Sequence, residues 1–290
     1  YENSSELWQY VNLKLDNPLD RKKGKTVDYF GYKVKQFQTI QNSLTAGNDE
    51  SIYVVTNLGL HKLVYNIKTN AITEKWALPY KNSFLKESDN KVASSLTTPT
   101  FLQDRNEIIF CDNDFPQINL MIIDAKTGVV MQKFPLFEYS VGSACNNAIA
   151  FADNTIFIGN TFGNGINGYP AKGIMKFYST ENGVWHTDLD WNRLQANTLC
   201  NTAALKIALN DTKAMVYQST EENQKSFQFS AIVINKVDKF YPIKYSLQPD
   251  FSMVKNKKFN LNNNGSNYTF GPKKSVFIGT SYGLLKIISE

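Results

Sequence analysis

One unit recurs five times along this chain, and recurrence of that kind leaves few folds open. Each copy has a short polar run, then a turn carrying Asp or Asn. It closes with a strand of alternating apolar residues that ends in Thr, Asn or Asp, or in the fourth copy Gln. The copies cover residues 44–56, 98–112, 145–160, 200–218 and 268–280. They follow one another at roughly fifty to sixty residues, a spacing that holds one four-stranded antiparallel sheet and repeats it.

That pattern predicts an all-β chain folded as a single β-propeller domain over residues 1–290. The second copy shows the blade in full. Strands are predicted at 96–102, 107–112, 120–124 and 129–136, with Ala125-Lys126-Thr127-Gly128 as the last turn. Its glycine supplies the positive φ that a tight hairpin needs. The first copy matches with strands at 63–67 and 71–78, the third at 173–178 and 184–185, the fourth at 230–235 and 240–247. The fifth copy stops after 284–288, one strand short. An unpaired edge templates aggregation, and residues 6–15 alternate as an outer strand does. Five blades closed by that N-terminal strand is the expected ring. A sixth, degenerate blade in 16–43 or 248–268 is the alternative, and no segment reads as a long capped helix.

Composition narrows the function classes. The formal charge of +5 comes partly from Arg21-Lys22-Lys23-Gly24-Lys25 and Lys255-Asn256-Lys257-Lys258. Both clusters read as solvated loops without an aromatic stacking platform, so nucleic acid is not an expected partner. No apolar run approaches the ~20 residues that span a bilayer. Cys111, Cys145 and Cys200 lack zinc-site spacing. Cys145 and Cys200 hold the same place in neighbouring repeats, either as two buried thiols or as a pair. Sequons stand at Asn3, Asn210, Asn264 and Asn267, about as many as such a composition yields by chance. His61 and His186 fall away from channel positions and leave no Ser-His-Asp spacing to support a triad.

Function is expected where inner strands converge on the channel. Their starts carry Thr45, Thr98, Thr100, Asn146, Asn147, Asn201, Thr202 and Thr269. Such amides and hydroxyls can line a hydrated channel, or they can coordinate a hard cation such as Ca²⁺. The Gly-rich stretch 161–173 departs from the repeat and reads as a lid, a partner-binding loop or a plain long loop.

Cys145-Asn146-Asn147-Ala148-Ile149-Ala150 followed by Ile156-Phe157-Ile158-Gly159-Asn160-Thr161-Phe162-Gly163 resembles a stretch of the gluconolactonases and senescence-marker-type lactonases. Cys200-Asn201-Thr202 with Leu209-Asn210-Asp211-Thr212-Lys213, and the closing 270–280, are similar to that family's later blades. The resemblance implies a channel Ca²⁺ that polarises a lactone or ester carbonyl as a Lewis acid. Asn147 and Asn201 would be its ligands, with Asn146 as the alternative to Asn147. The family's Glu would fall near Thr45 or Ala46, where this chain has none, and Asp250 is the candidate for its basic Asp. A second resemblance, to quinoprotein-type propellers, rests on Met121-Ile122-Ile123-Asp124-Ala125-Lys126-Thr127-Gly128-Val129-Val130. Trp76 and Trp185 fall near the positions of the tryptophans that stitch those blades together.

Two functional expectations follow. The first is a non-catalytic, secreted or periplasmic propeller that recognises a small molecule, glycan or protein at the channel mouth. Its contacts would come from Asn146, Asn147, Asn201, Thr98, Thr100 and Thr202. The second is a calcium-dependent lactonase or esterase with its metal in the channel. An assembly scaffold with an empty channel is a third possibility.

Overall fold

The computed structural model describes residues 26–29, 32–35, 40, 42–83, 95, 97–114, 117–137, 149–152, 154–161, 173–196, 206–210, 213–222, 226–234, 239–245, 268–272, 275–280 and 283–288. A hairpin comes first, β1 (Thr26–Tyr29) with β2 (Tyr32–Lys35), inside the stretch where a sixth blade was the alternative. Sheet one holds β3 (Thr45–Ala46), β4 (Ser51–Val55), β5 (Gly59–Asn66) and β6 (Ala71–Pro79). Sheet two holds β7 (Thr100–Leu102), β8 (Glu107–Cys111), β9 (Asn119–Asp124) and β10 (Val130–Pro135).

Sheet three follows with β11 (Ala150–Ala152), β12 (Thr155–Gly159), β13 (Ile174–Ser179) and β14 (Trp185–Thr187). Sheet four is β15 (Lys206–Asn210), β16 (Lys213–Glu222), β17 (Ser226–Ile234) and β18 (Lys239–Tyr245). Sheet five has β19 (Tyr268–Gly271), β20 (Ser275–Thr280) and β21 (Gly283–Ile288). In every sheet each strand lies beside its neighbour in the chain, so all five are simple meanders. This is the blade unit that the repeat predicts. The fifth has three strands among the described residues, one short as expected. The segment expected to complete it, 6–15, lies outside the described residues.

Two differences from expectation concern the connections. The first strand of sheet four is β15 at Lys206–Asn210, later than the polar run at 200–203 suggested. A short helix, α1 (Leu189–Gln195), also follows β14. Asp188 caps it by accepting the Trp191 N–H at 3.1 Å, satisfying one of the donors that a helix start leaves free.

The chain divides into two compact units, one of Tyr1–Phe115 with Met121–Lys133 and one of Pro116–Leu120 with Phe134–Glu290. In the first, Tyr53, Val55, Leu60, Tyr80, Ile108, Phe110, Met121, Ile123 and Ala125 form one buried cluster. Its members alternate along β4, β8 and β9, as a strand turned toward a facing sheet requires. Burial at about 25 cal/mol per Å² of apolar surface makes this packing the main support of the unit. The first strands of sheets one and two, β3 and β7, approach each other, and the Thr45 hydroxyl donates to the Pro99 carbonyl just before β7.

In the second unit, Phe157 and Trp191 meet edge to face at 5.4 Å, and Phe134 lies 5.3 Å from Phe177. There β11 approaches β15, again the first strand of one sheet near the first strand of the next.

Candidate functional site

In the first unit, β4 and β8 end where β3 and β7 begin, because Thr45 pairs with Tyr53 and Thr100 with Ile109. Apolar strands stop there and polar side chains take over. Thr56 and Asn57 follow β4, Asp112 and Asn113 follow β8, and Asn82 follows β6. Ser95 and Thr97 precede β7. Thr56, Asn57, Asn82, Ser95, Thr97 and Asp112 are all buried. Buried polar groups must be paired, and neighbouring residues at this end of the unit supply the partners.

Asn82 donates from Nδ2 to the Asn57 carbonyl at 3.0 Å and accepts at Oδ1 from Asn113 Nδ2, also at 3.0 Å. Tyr80 donates its phenol to the Thr56 carbonyl at 2.6 Å and accepts the Ser95 N–H at 2.8 Å. Ser95 in turn donates from Oγ to the Cys111 carbonyl at 2.5 Å. Charged groups rim the same end: Lys133 Nζ lies 3.3 Å from Asp112, and Lys81 Nζ lies 3.0 Å from Asp114. The Ser83 hydroxyl also donates to Asp114, at 2.9 Å. The result is a rim whose described segments are tied to one another by side-chain bonds.

Thr98 and Thr100 stand at this end, both half-buried, with Thr100 opening β7. Thr45 spends its hydroxyl on Pro99. Thr269 is exposed on β19. Asn146, Asn147, Asn201 and Thr202 lie outside the described residues, as do Cys145, Cys200 and Asp250. Cys111 is buried. Among the described residues no three His, Cys, Asp or Glu side chains cluster as metal ligands. The Gly-rich stretch has its base pinned by the Asn160 N–H on the Gly173 carbonyl at 2.9 Å, while 162–172 lie outside the described residues. Beside that base, Thr161 Oγ1 is buried without a hydrogen-bond partner among the described residues.

Sequence reasoning missed the strand-ending residues Thr56, Asn57 and Asp112 as site builders. The signal was present, since every repeat ends in Thr, Asn, Asp or Gln, but it reads as a turn marker.

It also missed an arrangement around His61, which lies in β5 and is 2 % exposed. Its Nδ1 is 2.7 Å from Glu74 Oε2, and its Nε2 is 3.2 Å from Thr56 Oγ1. A β-bulge makes this possible. His61 pairs with Ala77 and Lys62 with Trp76, but Leu63 pairs with Glu74. Skipping Lys75 brings Glu74 to the face that His61 occupies; a regular register would have placed Lys75 there. Burial pushes the imidazole below its ordinary pKa, and Glu74 opposes that push without cancelling it. The Thr–His–Glu order has the connectivity of a catalytic relay. Its hydroxyl, however, is sealed: Thr56 is 1 % exposed, and its Oγ1 accepts the Leu58 and Gly59 N–H groups at 3.2 and 3.1 Å. The oxygen is the centre of a turn, with no open side for a substrate carbonyl.

No family model matches this chain, and no curated protein does. Solved structures of low similarity do. A functionally unknown protein from Desulfotomaculum acetoxidans shares 9 % identity over 86 % of this chain and 64 % of its own, with a TM-score of 0.49. A proposed 6-phosphogluconolactonase from Bacteroides fragilis shares 11 % over 85 % and 65 %, with a TM-score of 0.48. Kluyveromyces lactis Hsv2 shares 12 % over 87 % and 61 %, with a TM-score of 0.46. The chain spans less than two thirds of the length of each. The architecture therefore rests on the meanders themselves.

Proposed function

We propose that this chain is a β-propeller whose meanders close into one ring, residues 6–15 supplying the outer strand that sheet five lacks. The end where inner strands begin is then its recognition surface. It binds a small molecule, glycan or protein without catalysis, through Asn146, Asn147, Asn201, Thr98, Thr100 and Thr202. The observation that carries this reading is the interlocked rim of Thr56, Asn57, Tyr80, Asn82, Ser95 and Asn113. Loops already fixed by their own hydrogen bonds lose little further freedom on binding, which favours affinity. A secreted or periplasmic location belongs to the same reading.

Thermal unfolding with calcium and with chelator, on wild type and Asn201→Ala, tests the non-catalytic part. An unchanged transition supports it. A ligand that binds only the folded state at a hundredfold excess over Kd stabilises by about 2.7 kcal/mol. A calcium-dependent rise of that order, abolished by Asn201→Ala, would replace this reading with the metal-dependent lactonase or esterase.

A further inference from the structure

The Thr56 hydroxyl has two acceptors at the same distance, His61 Nε2 at 3.2 Å and the Gly59 carbonyl at 3.2 Å. It has one proton to give. With His61 neutral and its Nδ1–H held by Glu74, Nε2 is an acceptor and takes that proton. Thr56 Oγ1 then uses its two lone pairs on the Leu58 and Gly59 N–H groups. Once His61 is protonated, Nε2–H becomes a donor aimed at Thr56 Oγ1. The hydroxyl proton turns to the Gly59 carbonyl, and three donors now compete for two lone pairs.

We propose that Thr56, His61 and Glu74 form a proton-operated latch on the 56–59 turn, closed when His61 is neutral and loosened when His61 takes up a proton. One of the three donors is then under-satisfied, so the 56–59 turn loosens locally while the strand pairing that His61 makes with Val54 and Ala77 stays in place. Glu74 is the one ionised group that meets the imidazole among the described residues. β4 places Val54 opposite His61, and β6 places Ala77 there. The Lys62 ammonium is committed elsewhere, to Asp49 at 2.7 Å and the Ala125 carbonyl at 3.1 Å. The bulge at Lys62/Leu63 belongs to the device, because it exchanges Lys75 for Glu74 beside the ring.

The latch reaches the rim through the backbone. The Thr56 carbonyl holds the Tyr80 phenol, and that phenol holds the Ser95 N–H at the entry to β7. Loosening of the turn therefore extends to the chain that leads to Thr98 and Thr100. None of this depends on which ligand the rim takes.

The test uses the full wild-type chain labelled with ¹⁵N. Imidazole nitrogen shifts are followed from pH 8 to pH 5, together with amide exchange corrected for its intrinsic pH dependence. The Nδ1–H tautomer is expected at pH 8, and a doubly protonated ring in a still-folded chain at the acid end. Protection of Leu58 and Gly59 should fall about tenfold relative to Ile108 as His61 titrates, and Ser95 should follow. Glu74→Gln should move the His61 midpoint further down, and Thr56→Ala should leave the Leu58 and Gly59 amides weakly protected at every pH. An Nε2–H tautomer at pH 8, unchanged Leu58 protection through the titration, or global unfolding before His61 titrates would each overturn the proposal.

Discussion

The indole of Trp76 lies flat on Gly128, so closely that a Cβ added to the glycine would sit 2.7 Å from Cδ2 of the ring. Trp76 is in the outer strand of sheet one, and Gly128 closes the last turn of sheet two, at φ +76°. The same turn presents the Ala125 carbonyl, which accepts from Trp76 Nε1 at 3.3 Å, Tyr53 Oη at 3.3 Å and Lys62 Nζ at 3.1 Å. One sheet thus grips the next at a single turn, through ring contact at Gly128 and three donors on the Ala125 carbonyl.

Gly128→Ala should destabilise the chain by about 2–4 kcal/mol. A side chain at that φ costs about 1 kcal/mol or more, and the Cβ overlap adds about 1–3 kcal/mol of overpacking. Urea unfolding at pH 7 measures it. A loss within about 0.5 kcal/mol would mean that the ring contact does not hold the sheets together.

Trp76→Phe and Tyr53→Phe each remove one donor from the Ala125 carbonyl while keeping an aromatic ring. Tyr53→Phe should cost less than the roughly 0.5–1.5 kcal/mol usual for a buried hydrogen bond, because two donors remain for two lone pairs. Trp76→Phe should cost more, because it also removes ring packed on Gly128. The double variant should lose about 0.5 kcal/mol more than the sum of the singles. Strict additivity in a double-mutant cycle would show that the three donors act independently.

Asp124 organises the same turn. Its Oδ1 accepts from Thr127 N at 2.7 Å, Lys126 N at 2.9 Å and Thr127 Oγ1 at 2.9 Å. Partial burial raises its pKa, but these bonds outweigh that and hold it below the ordinary value. A carboxylate with a lowered folded-state pKa contributes stability that is present above the unfolded value and lost as pH falls through the folded one. Asp124→Ala should therefore cost about 1 kcal/mol at pH 7, and the difference from wild type should shrink below about pH 4. A penalty that is constant with pH would contradict the role given to the charged form.

His61 carries the opposite proton balance. Its folded pKa lies below the ordinary value of about 6.5, so the unfolded chain binds more protons between those two values. The stability His61 contributes is whole above about pH 6.5 and declines as pH falls through that window, levelling below the folded pKa. Glu74→Gln removes the group that opposes the burial effect, so the window widens downward. The penalty of Glu74→Gln relative to wild type should be larger at pH 5.5 than at pH 8, as read from urea midpoints. An equal penalty at both would separate Glu74 from the His61 proton.

The strands of these sheets were readable to within a few residues wherever alternation and an Asp- or Gly-bearing turn coincided, as at Glu107–Cys111 and Gly283–Ile288. Both signals are local, and a meander needs little else. The bulge that brings Glu74 to His61 was not readable, since a single skipped residue leaves the apolar alternation of β5 almost untouched. Helix α1 was missed because seven residues are too few to display a helical period, although its cap Asp188 stood in plain sequence. The rim was only half legible. The strand that Thr100 opens could be read from the inner-strand pattern, but Asn57, Asn82 and Asn113 meet only after 25 or more residues of chain have folded back. Composition records that such residues exist and says nothing of which one faces which.

The most direct test of the recognition account is a ligand panel read by thermal unfolding, run on wild type and on the Asn146→Ala/Asn201→Ala double variant. The panel covers glycans, small metabolites and lactones, with calcium present throughout and lactone turnover followed in the same samples. The account expects at least one ligand class to raise the wild-type transition and leave the variant unmoved, with the two transitions alike when no ligand is added. Equal shifts in both proteins, or lactone turnover that the double variant abolishes, would contradict it.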